Sequence, residues 1–173
     1  TGLTSIELSH LNTKQTTTME YMFKGCTSLT SLNISNFNTE NVVSLSRMFE
    51  RCTSLTSLDL SNFNTNNVTN ISSMFFDCFK LRSVNLKSFN TENVISINGL
   101  FHDCQSLTSV DISHFNTKNV INMNIMFEGC SSLKYLDVSN FDTGNVQYME
   151  FLFNGCSSLT SLDVSHFKTD KVT

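Results

Sequence analysis

At 173 residues with 39% hydrophobic content, the chain is long enough for one domain with a real core and too apolar for a disordered one. A net charge of -4 excludes a generic nucleic-acid binder, which needs a clustered excess of Lys and Arg to neutralise phosphates. No apolar stretch is long enough to insert in a membrane, and no charged segment followed by an apolar one reads as an export signal, so compartment must be argued otherwise.

The chain repeats itself from one end to the other. Cys26, Cys52, Cys78, Cys104, Cys130 and Cys156 are spaced by 26 residues without insertion or deletion, and a fixed period of this length marks a stacked repeat protein. The first coil is irregular, with Leu11, Gln15 and Thr16 where later coils carry Phe, Asn and Val. From Cys26 onward each unit follows the cysteine with L-x-x-L-x-L, as in Leu55, Leu58 and Leu60. Two aromatic registers, Phe37 through Phe167 and Phe23 through Phe153, account for twelve of the fifteen phenylalanines. The unit headed by Cys52 defines the elements. Leu58 and Leu60 alternate with Ser57, Asp59 and Ser61, a period of two that predicts a short strand with one buried face. The Asn- and Thr-rich "FNTNN" predicts a tight corner. Val68, Ile71, Met74, Phe75 and Cys78 then fall at steps of three and four, which predicts a helical or 3₁₀ return.

Later coils keep this clock but vary outward. Lys80, Arg82 and Lys87 break the Ser/Thr columns of the Cys78 coil, and Lys134 and Tyr135 do so in the Cys130 coil. Phe76, Phe79, Ile95, Ile121, Ile125, Tyr148 and Phe151 stand on the return side where other coils are polar, and would form an apolar patch or a half-buried ridge. The chain closes at Val172 and Thr173 in mid-return, and neither end carries a polar capping repeat. Residues 1–173 therefore read as a single solenoid of about six and a half repeats, cut from a longer array and prone to end-to-end self-association.

One coil cannot bury both of its apolar sides alone, so neighbours must stack with strands parallel, about 4.8 Å apart. The fold class is an α/β repeat solenoid with a parallel β-sheet on one side and short helical or 3₁₀ turns on the other. The Asn columns, Asn38 to Asn116 and Asn41 to Asn145, are expected to bond amide to amide between coils. The unit L-x-x-L-x-L-x-x-F, followed by N-V-x-x-M-x-x-M-F-x-x-C-x-x-L, resembles the BspA-like, Treponema-type leucine-rich repeat in its 26-residue Asn-rich form. That resemblance covers the whole chain and implies a right-handed coil in a secreted or surface-anchored bacterial protein. It further implies binding to host proteins, matrix or other cells, with no cofactor and no catalytic residues.

The cysteines read as a buried structural ladder. Side chains in register point the same way, so their Cβ atoms stay too far apart for an unstrained bridge. One Cys per coil cannot converge tetrahedrally on zinc, and no His accompanies every Cys as an activating base. His102, two residues before Cys104, reads as a polar surface residue. His10, His114 and His166 share a corner register, with the last two about 10 Å apart. No catalytic motif or metal set emerges, so no enzyme and no cofactor are expected.

The informative surface is the outward strand face. Its middle column, Glu7, Asn33, Asp59, Asn85, Asp111, Asp137 and Asp163, is either a solvated face or a place for basic partners or weakly held calcium. Tyr and Arg are over-represented at binding hot spots. Arg82, Lys87, Asp111, Tyr135 and Asp137 are therefore the candidate contacts for a protein or glycan partner. The alternative is a spacer whose array displays other domains; a third reading takes the unbroken Thr13-to-Thr169 column as an ice- or glycan-binding ladder.

Overall fold

The computed structural model describes residues 2–173, and the 26-residue period is visible as stacked coils with like residues above like. The inward registers form one continuous core. In the middle coils Leu55, Leu60, Val68, Met74, Phe75, Cys78 and Leu81 have essentially no exposed surface. Phe23, Phe49, Phe75, Phe101, Phe127 and Phe153 stack face to face down the column, with centroids 5.5 to 6.0 Å apart and planes within 15° of parallel. Those separations exceed the strand spacing because offset stacking is favoured over a direct sandwich.

Among the described residues, the parallel sheet on the strand side is confined to two coils. β1 (Ser57–Asp59) and β2 (Ser83–Asn85) pair with Leu58 opposite Val84, so the expected outward alternation holds: Ser57 and Asp59 face solvent while Leu58 is buried.

The return side departs from expectation. Among the described residues it contains no helical or 3₁₀ segment; it is a run of turns joined by the longest parallel ladder in the molecule, Thr18–Ser44–Asn70–Ser96–Asn122–Tyr148. The reason lies in how the N–H groups are divided. Ser73, Phe75 and Asp77 donate to Asn98, Leu100 and His102 of the next coil, whereas Met74, Phe76 and Cys78 donate three residues back. A helix would use all of these donors internally and leave none to join the coils. Positive φ values at Ser73 (55°) and Asp77 (59°), repeated at Arg47, Arg51, Asp103, Ile125 and Phe151, also interrupt any helix. The apolar steps of three and four were real, since those side chains are the buried ones, but they belong to turns.

The corners are held by side chains bonded to backbone. Each Thr of the column from Thr13 to Thr143 is buried, and its hydroxyl donates to a carbonyl of one residue in the next coil; all but Thr117 also accept the N–H of that same residue. For Thr91 that residue is Asn116, at 3.0 and 2.7 Å. These hydroxyls are consumed inside the coil, which removes the ice- or glycan-ladder reading. The Asn columns differ from the expected amide ladders as well. Asn67, Asn93 and Asn119 donate to backbone carbonyls of the preceding coil, and Asn38, Asn64 and Asn116 cap their own corners as Asx turns. Only Asn90 reaches a neighbouring amide, that of Asn66, among the described members of these columns.

Candidate functional site

All six cysteines are free. Cys52, Cys78, Cys104 and Cys130 have no exposed surface, and each thiol from Cys52 to Cys156 donates to the carbonyl of the Phe 29 residues earlier, at 3.1 to 3.2 Å. Cys26 and Cys156, in the outer coils, are half-buried. Burial pushes the Cys52 thiol up to about 12 and Cys156 to about 11, and holds Cys78, Cys104 and Cys130 higher than the ordinary thiol range. Thiols held protonated this firmly supply no thiolate at neutral pH.

His114 and His166 are also structural: their Nε2 atoms lie 3.1 Å from the carbonyls of Leu86 and Val138. Asn36 and Asn62 make the same contact from the same register, which explains why His, Asn and Ser88 interchange there.

The outward strand face begins with a column of capped turns. Asp59, Asp111, Asp137 and Asp163 each accept the N–H of the serine two residues on. That serine lowers all four carboxyls, chiefly through its hydroxyl at Asp111 and Asp137 and chiefly through its N–H at Asp59 and Asp163. Asn33 and Asn85 cap in the same way. The acidic column thus has a local structural cause, and among the described residues none of its carboxylates belongs to a convergent group of three His, Cys, Asp or Glu ligands.

Tyr135 interrupts this face with 64% of its surface exposed. It stands between two hollows. One, of about 340 Å³, is lined by Tyr135, Asp137, Ser161, Asp163 and His166; the other, of about 310 Å³, by Ser109, Asp111, Ser113, Tyr135 and Asp137. The structure therefore gathers three of the five candidates, Asp111, Tyr135 and Asp137, into one place. Lys87 is near enough to Asp111 to help lower its carboxyl. Arg82 is exposed in the same coil as Lys87 but lines neither hollow.

On the return side Ile95, Tyr148 and Phe151 are exposed, while Ile121 and Ile125 are half-buried. Ile95 and Ile121 line a shallow hollow of about 550 Å³ with Asn67, Thr69, Asn93 and Asn119. Phe76 has a different use: it stacks on His102 with centroids 4.1 Å apart and planes 3° from parallel. His102 is thereby largely covered, with 17% of its side chain exposed, contrary to its reading as a surface residue. The signal in sequence was the coincidence of Asp77, His102 and Asp103 around one cysteine register, legible only once coils are known to stack.

Fold and surface define a repeat solenoid with a variable outward face. Residues 2–109 and 78–173 match the family described as Mycoplasma protein of unknown function, DUF285, and the chain belongs to that family. No curated protein matches the chain. Among solved structures, a leucine-rich repeat protein of T. pallidum is similar at 26% identity, over 66% of this chain, with a TM-score of 0.44. The matched region spans 48% of that protein.

Proposed function

We propose that the chain is a non-catalytic binding module of a secreted or cell-surface protein of the BspA-like type, taking a protein or glycan of a host or another cell on its strand-side face. The observation that carries this reading is Tyr135, an aromatic ring 64% exposed between two hollows whose other polar lining residues are Ser, Asp and His166. An exposed tyrosine supplies a large contact area with little loss of side-chain freedom. The carboxylates of Asp111, Asp137 and Asp163 around it favour a partner that presents cationic groups beside apolar surface. A spacer has no use for such an interruption.

The test is capture from arrays of extracellular proteins and glycans by the intact chain, repeated with Tyr135→Ala and Lys87→Ser. Binding that falls at least about tenfold in Tyr135→Ala, as truncation of an interface anchor does, supports the face. Binding unchanged in both variants refutes it, and no capture by the parent chain returns the reading to a spacer.

A further inference from the structure

Asp77, His102 and Asp103 end the returns of two consecutive coils, and one ligand atom from each lies within 4.8 Å of the others. No other trio of His, Cys, Asp or Glu does so among the described residues. His102 Nδ1 is enclosed and has no hydrogen-bond partner. It faces Asp77 Oδ1 at 3.8 Å and Asp103 Oδ2 at 3.7 Å, beyond hydrogen-bonding length in both directions. Two ligands of a tetrahedral ion with bonds of about 2.0–2.2 Å stand about 3.4 Å apart. Closure onto one ion therefore requires His102 Nδ1 and each carboxylate oxygen to approach by a few tenths of an ångström, a small side-chain rotation.

The surroundings prepare each ligand separately. The Phe76 ring fixes the imidazole plane. On the opposite edge His102 Nε2 faces Glu128 Oε2 at 3.4 Å, the kind of carboxylate that orients a ligating histidine through its other nitrogen. Asp77 turns its second oxygen, Oδ2, to Arg51 at 3.8 Å and leaves Oδ1 toward the ring. The Asp103 carboxylate lies over Gly129, where a Cβ would stand 2.1 Å from Oδ1. Any other residue at 129 would displace it. The same register carries Gly25, Arg51 and Gly155 in other coils, so two aspartates occur in succession only beside His102.

We infer that Asp77, His102 and Asp103 bind one divalent transition-metal ion of the zinc class, through one imidazole nitrogen and two carboxylate oxygens, with a position left for water. Oxygen ligands alone would suit calcium or magnesium; the imidazole shifts preference toward zinc. Because the ligands come from adjacent coils, the ion would pin the stack at its middle.

The experiment is titration of chelator-stripped protein with zinc by calorimetry and with cobalt(II) by visible absorption. One ion per chain and the visible bands of low-coordinate cobalt are expected, with a melting temperature that rises with zinc concentration. His102→Gln and Asp103→Asn should each weaken binding at least about tenfold, Glu128→Gln by about 10 to 100-fold, and His114→Asn not at all. Circular dichroism of the metal-free variants establishes that they fold. No saturation by about 1 mM zinc overturns the assignment, as does binding that His102→Gln and Asp103→Asn leave undiminished. If neither of those variants folds, undiminished zinc binding in Glu128→Gln overturns it.

Discussion

Raising the pH should unfold this protein through its cysteines. A thiol whose folded-state pKa lies above its unfolded value adds stability that is complete below the unfolded pKa and is lost as pH climbs through the folded one. Cys52 moves from 9.0 to about 12, because burial disfavours the thiolate, so its window runs upward from pH 9. At pH 10 ionisation of the unfolded thiol removes about 1–2 kcal/mol of stability. Cys52, Cys78, Cys104 and Cys130 all have zero exposed surface and raised pKa values. Together they remove about 6 kcal/mol, an upper figure because unfolded chains keep some burial, against a typical total of about 5–15 kcal/mol. Urea unfolding at pH 7.5, 9 and 10, under argon with a reductant, measures this. Lysines and tyrosines titrate nearby, so the decisive comparison is with Cys104→Ala. That variant loses the bond to Phe75 and opens a small void, costing about 1–2 kcal/mol at pH 7.5. The gap from the parent should shrink by about 1–2 kcal/mol by pH 10. Parallel pH curves for the two proteins would refute the argument.

Two further perturbations separate the corner and the turn. Thr91→Val leaves the N–H and carbonyl of Asn116 without their partner, so urea unfolding should show a loss of about 2–4 kcal/mol, and a loss below about 0.5 would contradict the bonded ladder. Gly25→Ala and Gly129→Ala share a φ of 74°, but only the second places a Cβ against Asp103. The first should cost about 1 kcal/mol from backbone strain and the second clearly more; equal losses in thermal melts would show that the Asp103 cradle is not tightly packed.

The period, the inward registers and the cysteine column were legible without coordinates, because a solenoid's contacts recur at a fixed sequence offset and one coil's pattern states the whole core. The inward residues of the Cys52 coil, Leu55 to Cys78, are the buried ones. The backbone of the return was not legible. Val68, Ile71, Met74 and Phe75 satisfy a helical spacing, but N–H groups that must join one coil to the next cannot also close helical turns, and that competition is settled only by stacking. The roles of single polar residues were hidden for the same reason. Thr91 reads as a corner filler until Asn116 of the next coil is set against it, and His102 as a surface residue until Phe76 and Asp77 arrive from the coil before. Sequence alone determined what each coil buries, since hydrophobic pattern is local; tertiary structure decided what each polar group meets, since that partner lies about 26 residues away and at an angle no spacing records.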